Sequence, residues 1–454
     1  MTETAFEDEA AGLPARRFAF SLVTRVLDQR VTLDEASQAL ATVAARMPGR
    51  DAAFGRAIAY AALRHKGSLE EMLRHFIPRP LPEHGISAAR VLLCAAAELM
   101  ILDGKAHAAV DGAVRLAVAT RGAKPFKSLI NAVLRRIAEN GRITYAAIDA
   151  PSWDTPEWLW SRWAAAYGET AAHGIAAAHG APAPLDLTLR ERADTAQWQT
   201  ALNATVLGAA SLRLAESAPV ETLPGFAEGA WWVQDAAAAI PARVLLDALG
   251  GGAGHTIIDL CAAPGGKTLQ LAAAGARVTA VDSSAPRLKR LGANLARLDL
   301  DAAIVTADAR TWRPDAPADA VLLDAPCSAT GTIRRHPELP WIRDVEAVTR
   351  NAAISAALLD AAWTMVKPGG VLVFAVCSLE PEEGETQLDA FRTRQPDAVP
   401  LPIAAAPYGL PETATKGPYL RILPSMLADA GGLDGFFVAA LSRGPAMDGP
   451  FSGG

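Results

Sequence analysis

From about Trp231 onward, short apolar runs alternate with helical stretches, and this alternation constrains the chain more than any other feature. Thr256–Leu260, Arg277–Val281, Ala303–Thr306, Ala320–Leu323 and Val371–Val376 have the length and composition of buried strands. Between them, Lys267–Ala274, Pro286–Leu298 and Val345–Val366 carry helical patterns, the last closed by Lys367-Pro368-Gly369-Gly370. Apolar strands separated by helices point to a mostly parallel α/β sheet of Rossmann type.

The first third of the chain has a different period. Phe18, Leu22 and Val26 recur every four residues, and Leu129, Ile130, Val133, Leu134 and Ile137 form another apolar stripe. An all-helical bundle is expected from 15 to 145, with Lys127, Arg135 and Arg136 on a basic face of its last helix. A hinge near Ala150-Pro151 opens a small α+β module, 146–230. There Thr155 is the expected N-cap, with Pro156 at the first helical position. Trp158, Trp160 and Trp163 have the spacing of core aromatics more than of base-stacking ones, and Leu185–Leu189 alternates like a strand. The α/β domain spans 231–446, and residues 1–14 and 447–454 are expected to be flexible tails.

At 454 residues, 51% apolar and 20% charged, the chain is globular and multidomain. No apolar run is long enough to span a membrane, and the acidic start has no secretory pattern, so a cytoplasmic monomer is expected. Four scattered cysteines, 94, 261, 327 and 377, form neither a disulfide framework nor a zinc half-site, so no metal is expected. The net charge of -6 conceals a basic segment: residues 10–150 hold 20 Lys and Arg against 12 acids. That balance suits a polyanion partner, although solvated helix faces explain it equally well by charge alone.

Cys327 and Cys377 each close an apolar strand, where an α/β sheet gathers its ligands. A thiolate there, beside Asp324, suits covalent addition to an electron-poor ring. Asp324 can hold a cytosine by N3 and the exocyclic amine. Cys261-Ala262-Ala263-Pro264-Gly265-Gly266-Lys267-Thr268 is a small-residue turn between a strand and a helix, open to close approach by a ligand. Gly266-Lys267-Thr268 looks like the end of a phosphate loop, but Cys261 occupies the place of its first glycine. The competing reading is a nucleoside-cofactor turn, in which Asp282 at the next strand end accepts from ribose hydroxyls. Asp308 follows the third strand, within reach of an adenine amine on this reading. Arg334-Arg335-His336 is either a phosphate contact or a solvated loop. The glutamates after Cys377 are expected to cap the next helix.

Taken together, Asp259–Thr268, Asp324–Glu338 and Cys377–Glu385 resemble the Sun/nucleolar-protein family of RNA cytosine-C5 methyltransferases. Ala106–Val110 and Phe126–Ile137 resemble the antitermination factor NusB, and a NusB-like domain ahead of this catalytic domain resembles the family's bacterial 16S ribosomal RNA (RsmB/Sun) branch. The resemblance implies S-adenosyl-L-methionine as cofactor, held by Cys261, Ala262, Ala263, Pro264, Gly265, Gly266 and Lys267 with Asp282, Asp308 and Asp324. It implies that Cys377 is the nucleophile and Cys327 assists product release, whereas the DNA-enzyme pattern would make Cys327 the nucleophile. It also implies an RNA partner, 16S rRNA; with that partner, the basic residues Arg16, Arg17, Lys127, Arg135 and Arg136 of the helical domain are the expected docking surface, and Arg334 and Arg335 expected phosphate contacts. Val376 and Ala329 stand where the family usually has threonine and glycine. The alternatives are a transfer-RNA cytosine methyltransferase, a non-catalytic RNA-binding assembly factor and a phosphate-loop hydrolase.

Overall fold

The structure is a computed structural model that describes residues 12–208, 211–216 and 218–444. The chain divides into two compact units. One holds the polypeptide up to Pro182 together with Ile333–Asp344; the other holds Ala183–Thr332 and the chain from Val345 onward. The expected tail 447–454 lies outside the described residues, and of the expected tail 1–14 only 12–14 are described, with a helix beginning at Leu13.

The first unit is helical. Helices Leu13–Gln29, Gly49–Arg64, Lys66–Phe76, Ile86–Met100, Ala106–Ala119 and Lys127–Ala146 bury the stripes seen in the sequence, including Phe18, Leu22, Val26, Ile130, Val133, Leu134 and Ile137. The short helix Leu33–Ala39 opens with a capping box between Thr32 and Glu35. The structure does not divide at the expected hinge near Ala150-Pro151. Helices Ala150–Asp154, Glu157–Tyr167 and Glu169–His179 stay with the bundle, tied in part by Asp154, whose Oδ1 accepts the Ser68 N–H at 2.8 Å. Pro156 rather than Thr155 occupies the N-cap, and Trp163 is buried, as core spacing implied.

Ile333–Asp344, expected within the α/β domain, also belongs to this helical unit. Trp341 Nε1 donates to the Leu63 carbonyl at 2.8 Å, and Glu338 Oε1 accepts the Leu33 N–H at 3.1 Å.

Two of the expected RNA-contacting arginines are interior. The Arg16 guanidinium is clamped by both oxygens of Glu98, with Nε to Oε2 at 2.8 Å, and the residue is 8% exposed. Room for it exists because residue 112 is glycine: a Cβ there would lie 2.6 Å from Arg16 Cδ. Arg334 is 1% exposed. Both side chains are spent inside the fold and cannot contribute to a surface for RNA. Arg17, Lys127, Arg135 and Arg136 are exposed and Arg335 is half-buried.

In the second unit β1 (Asp186–Leu189), β2 (Ala204–Leu207), β3 (Ser211–Leu214) and β4 (Trp231–Val233) form an antiparallel sheet ordered β2-β3-β1-β4. The main sheet contains β5 (Thr256–Leu260), β6 (Arg277–Asp282), β7 (Ala303–Thr306), β8 (Ala318–Asp324) and β9 (Val366–Val376), all parallel in the order β9-β8-β5-β6-β7. Helices Gly266–Ala273, Ala285–Leu298 and Val345–Met365 connect them. The chain turns outward in opposite directions from β5, so the carboxyl ends of β5 and β8 form the topological switch point where such sheets hold ligands. Beyond β9 the sheet continues antiparallel through β10 (Ala398–Leu401), β11 (Thr415–Lys416), β12 (Tyr419–Ile422) and β13 (Phe436–Arg443), with β13 pairing β9. The alternation of strands and helices foretold the parallel part and left this antiparallel extension unread.

Candidate active site

The switch point is built from three loops. After β5 the backbone enters the left-handed region at Cys261 (φ 59°) and again at Gly265 (φ 112°) before helix Gly266–Ala273 begins. Glycine is required at 265 twice over, since a Cβ would also lie 2.4 Å from Leu291 Cδ1. Asp282, at the end of β6, steadies this turn. Its Oδ2 accepts the Ala263 N–H at 3.1 Å and its Oδ1 accepts the Ser284 N–H at 2.8 Å. Asp308 lies farther out, half-buried and held by Arg310, whose hydrogen bonds keep its carboxyl down at about 2.

Asp259 lies beneath the turn, wholly buried on β5. Its Oδ2 accepts the Thr268 hydroxyl at 2.5 Å, while Oδ1 has no partner among the described residues. Burial pushes this carboxyl up to about 7, against the opposing pull of the Thr268 bond. Lys267 points across the crevice, its Nζ 2.7 Å from Asp324 Oδ2 and 5.4 Å from the centre of the Phe436 ring. Burial alone would lower the Lys267 pKa, but the charge of Asp324 and the hydrogen bond to it outweigh burial and raise it. Above the buried Asp259, the carboxylates of Asp282 and Asp324 are each partnered by a cation, Arg287 and Lys267 respectively, around the small-residue turn. Carboxylate oxygens placed there suit a ligand bearing hydroxyl and amine donors.

The pairing of β8 with β9 brings the two remaining loops together, with Asp324 opposite Ala375. The Cys327 and Cys377 sulfurs are 3.6 Å apart as free thiols. The hydrogen bond to Cys377, then burial, then the nearby charges of Cys377 and Glu383 raise the Cys327 pKa well above that of an ordinary thiol. Two adjacent thiolates repel each other, so the pair does not ionise twice.

A buried polar network holds both cysteine loops. Glu383 accepts the Ser328 N–H at 2.8 Å and the Ser328 hydroxyl at 2.6 Å. Ser328 Oγ lies 3.1 Å from Ser378 Oγ, and Thr330 Oγ1 accepts the Leu379 N–H at 2.9 Å. Arg421, from β12, donates to the Ser378 carbonyl at 2.5 Å and pairs with Glu385. Glycine at 331 permits the close approach of this loop to the next, because a Cβ there would sit 2.2 Å from the Gly435 carbonyl oxygen. The glutamates after Cys377 were expected to cap a helix. Only Glu385 lies in the first helical turn, while Glu380 and Glu383 face inward, fully buried. The sequence reading missed these positioning residues and Arg421. The one available signal was that a serine follows each cysteine.

Comparison with known proteins bears on what this arrangement is for. Residues 247–442 match the model of the 16S rRNA methyltransferase RsmB/F family, and residues 13–139 match that of the NusB family. Ribosomal RNA small subunit methyltransferase B of Vibrio cholerae serotype O1 is 35% identical over 444 residues, covering 94% of this chain and 97% of that protein. The chain belongs to the ribosomal RNA small subunit methyltransferase B family. The family member of Xanthomonas campestris pv. campestris is 35% identical over 421 residues, covering 88% of this chain and 92% of that protein. Among solved structures, PH0851 superposes with a TM-score of 0.72 at 22% identity over 95% of this chain and 99% of its own, a likeness of fold. A methyltransferase homolog protein from Pyrococcus horikoshii superposes with a TM-score of 0.51 at 25% identity, over 62% of this chain and 93% of its own. Membership in this family accounts for an N-terminal NusB-like bundle and a C-terminal methyltransferase sheet in one polypeptide.

Proposed function

We propose that this methyltransferase modifies C5 of a cytosine in 16S ribosomal RNA through a transient bond from Cys377 to C6 of the base. The observation that carries the proposal is the approach of two free thiols to 3.6 Å at the strand ends that also present Asp324 and Lys267. S-adenosyl-L-methionine, when bound, supplies an electrophilic methyl group. Cys261 through Lys267, Asp282, Asp308 and Asp324 would hold it, the carboxylates accepting from its hydroxyl and amine groups.

Cys377 attacks C6 as the thiolate, forming an S–C6 bond and pushing the C5–C6 π electrons toward the N3 edge. Asp324 accepts from the exocyclic amine on that edge, and the Lys267 ammonium beside it stabilises the electron density arriving there. Lys267 steadies Asp324 and places positive charge beside Cys377. The enriched C5 takes the methyl group. Loss of the C5 proton to a base then returns the electron pair to C5–C6 and expels the Cys377 thiolate. Cys327 retains its proton while Cys377 reacts, and assists this expulsion directly or through water.

Arg17, Lys127, Arg135 and Arg136 remain the proposed docking surface for RNA on the helical unit. Neutralising them together should flatten the fall of affinity with added salt by up to about four in logarithmic slope. An unchanged slope removes them from the interface. For the chemistry, the full chain is incubated with cofactor and a 16S rRNA transcript. Cys377→Ala should abolish methylation, and Cys327→Ala should accumulate a covalent protein–RNA adduct. An adduct formed through Cys327 with Cys377 dispensable would reverse the assignment.

A further inference from the structure

A second cavity in the α/β unit has chemistry that methyl transfer does not use. It measures about 350 Å³ and lies between β1, the turn that follows it, helix Ile240–Leu249 and the far end of helix Gly266–Ala273. That helix begins at the cofactor turn, and its Ala273 is about 10 Å farther along the axis. Arg190, Arg192 and Arg243 line the cavity together with a single acid, Glu191.

Arg243 is the informative member. It is 7% exposed, and among the described residues its guanidinium donates only to Ser211 Oγ, at 3.2 Å. The nearest helpful carboxyl, Asp247, already accepts the Tyr408 hydroxyl at 2.8 Å. Burial and then the like charge of Arg192 pull the Arg243 pKa down to about 10. Burying a guanidinium with one neutral hydrogen bond is costly unless an anion meets it. Glu191 lies 3.9 Å from Arg190 and does not relieve Arg243. Thr188, on β1, also lines the cavity. It is 4% exposed, and its hydroxyl has no hydrogen-bond partner among the described residues. An unsatisfied hydroxyl beside an under-compensated buried guanidinium is what a missing acceptor leaves behind.

We propose that this cavity binds a phosphate group, with Arg243 and Arg192 as its cationic walls and the Thr188 hydroxyl as a neutral donor. A phosphate offers several acceptor oxygens to converging guanidinium forks, as no single neutral ligand does. Its source is either a backbone phosphate of the RNA or a free phosphate-bearing small molecule. Only the first of these rests on the RNA reading above.

The test uses the full chain, with calorimetric titration of pyrophosphate, of cytidine monophosphate and of a short single-stranded RNA. Saturable binding of either small phosphate is expected. Exposed Arg192→Gln should weaken it roughly ten-fold or more, and Thr188→Val, which keeps the side-chain shape, should weaken it by a smaller factor. Displacement of the small phosphate by RNA assigns the site to a backbone phosphate, and simultaneous binding assigns it to a free ligand. Cys377→Ala should bind phosphate as the unaltered chain does, so failure of the methyl-transfer reading leaves this result standing. Absence of saturable binding, or binding unchanged in both variants, overturns the proposal.

Discussion

Replacing Asp259 by asparagine should reverse a pH-dependent loss of stability in the methyltransferase sheet. Asp259 is wholly buried, with one oxygen on Thr268 and the other without a partner among the described residues, and its carboxyl is pushed up to about 7. In the unfolded chain the same group ionises near 3.9. Between those values the unfolded state releases a proton that the folded state keeps, so stability falls as pH rises. The contribution is fully present below about pH 4 and lost by about pH 7, with little change above. A gap of roughly three pKa units corresponds to about 4 kcal/mol. Asparagine mimics the neutral acid and carries no such slope, and any cost of its extra amide hydrogens is independent of pH. Hydrogen exchange at the β5 amides reports the opening of this sheet rather than of the helical unit. The stability difference, Asp259→Asn minus the unaltered chain, should grow by about 4 kcal/mol from pH 4 to 7. Parallel profiles would mean that Asp259 is charged in the fold, and the account of the buried acid beneath the cofactor turn would be wrong.

Glu383→Gln should lower kcat by about 10- to 100-fold, because Ser328 loses one of its two charge-assisted bonds and the Cys327 loop moves. A burst assay should show the slowing in adduct release rather than in RNA binding; a change confined to KM would contradict the positioning role. Arg16→Met should destabilise the helical unit by about 3–5 kcal/mol in urea titration, since it leaves Glu98 buried and unpaired. Adding Glu98→Leu should recover most of that loss, whereas a stability-neutral Arg16→Met with weakened RNA affinity would restore Arg16 to the binding surface.

The two regimes of periodicity were legible in the sequence because period reflects burial on one face of a helix or on both faces of a parallel strand. So were the turn 261–267 and the places of Asp282, Asp324 and the two cysteines at strand ends, since strand ends and glycine turns are local signals. Glu98, Glu380, Glu383 and Arg421 were not legible, because an acid or base in sequence looks the same whether it faces water or a partner far along the chain. Arg16 shows the difference most sharply: its charge suggested a surface, and only Gly112 and Glu98, 96 and 82 residues away, decided that it is interior. Residues 333–344 likewise carry no composition that assigns them to the helical unit; the contacts of Trp341 with Leu63 and of Glu338 with Leu33 do. The sequence by itself determined which elements form and which chemistry sits at their ends. The tertiary structure alone decided which charges are paired, because pairing depends on distances between residues that sequence separation does not encode.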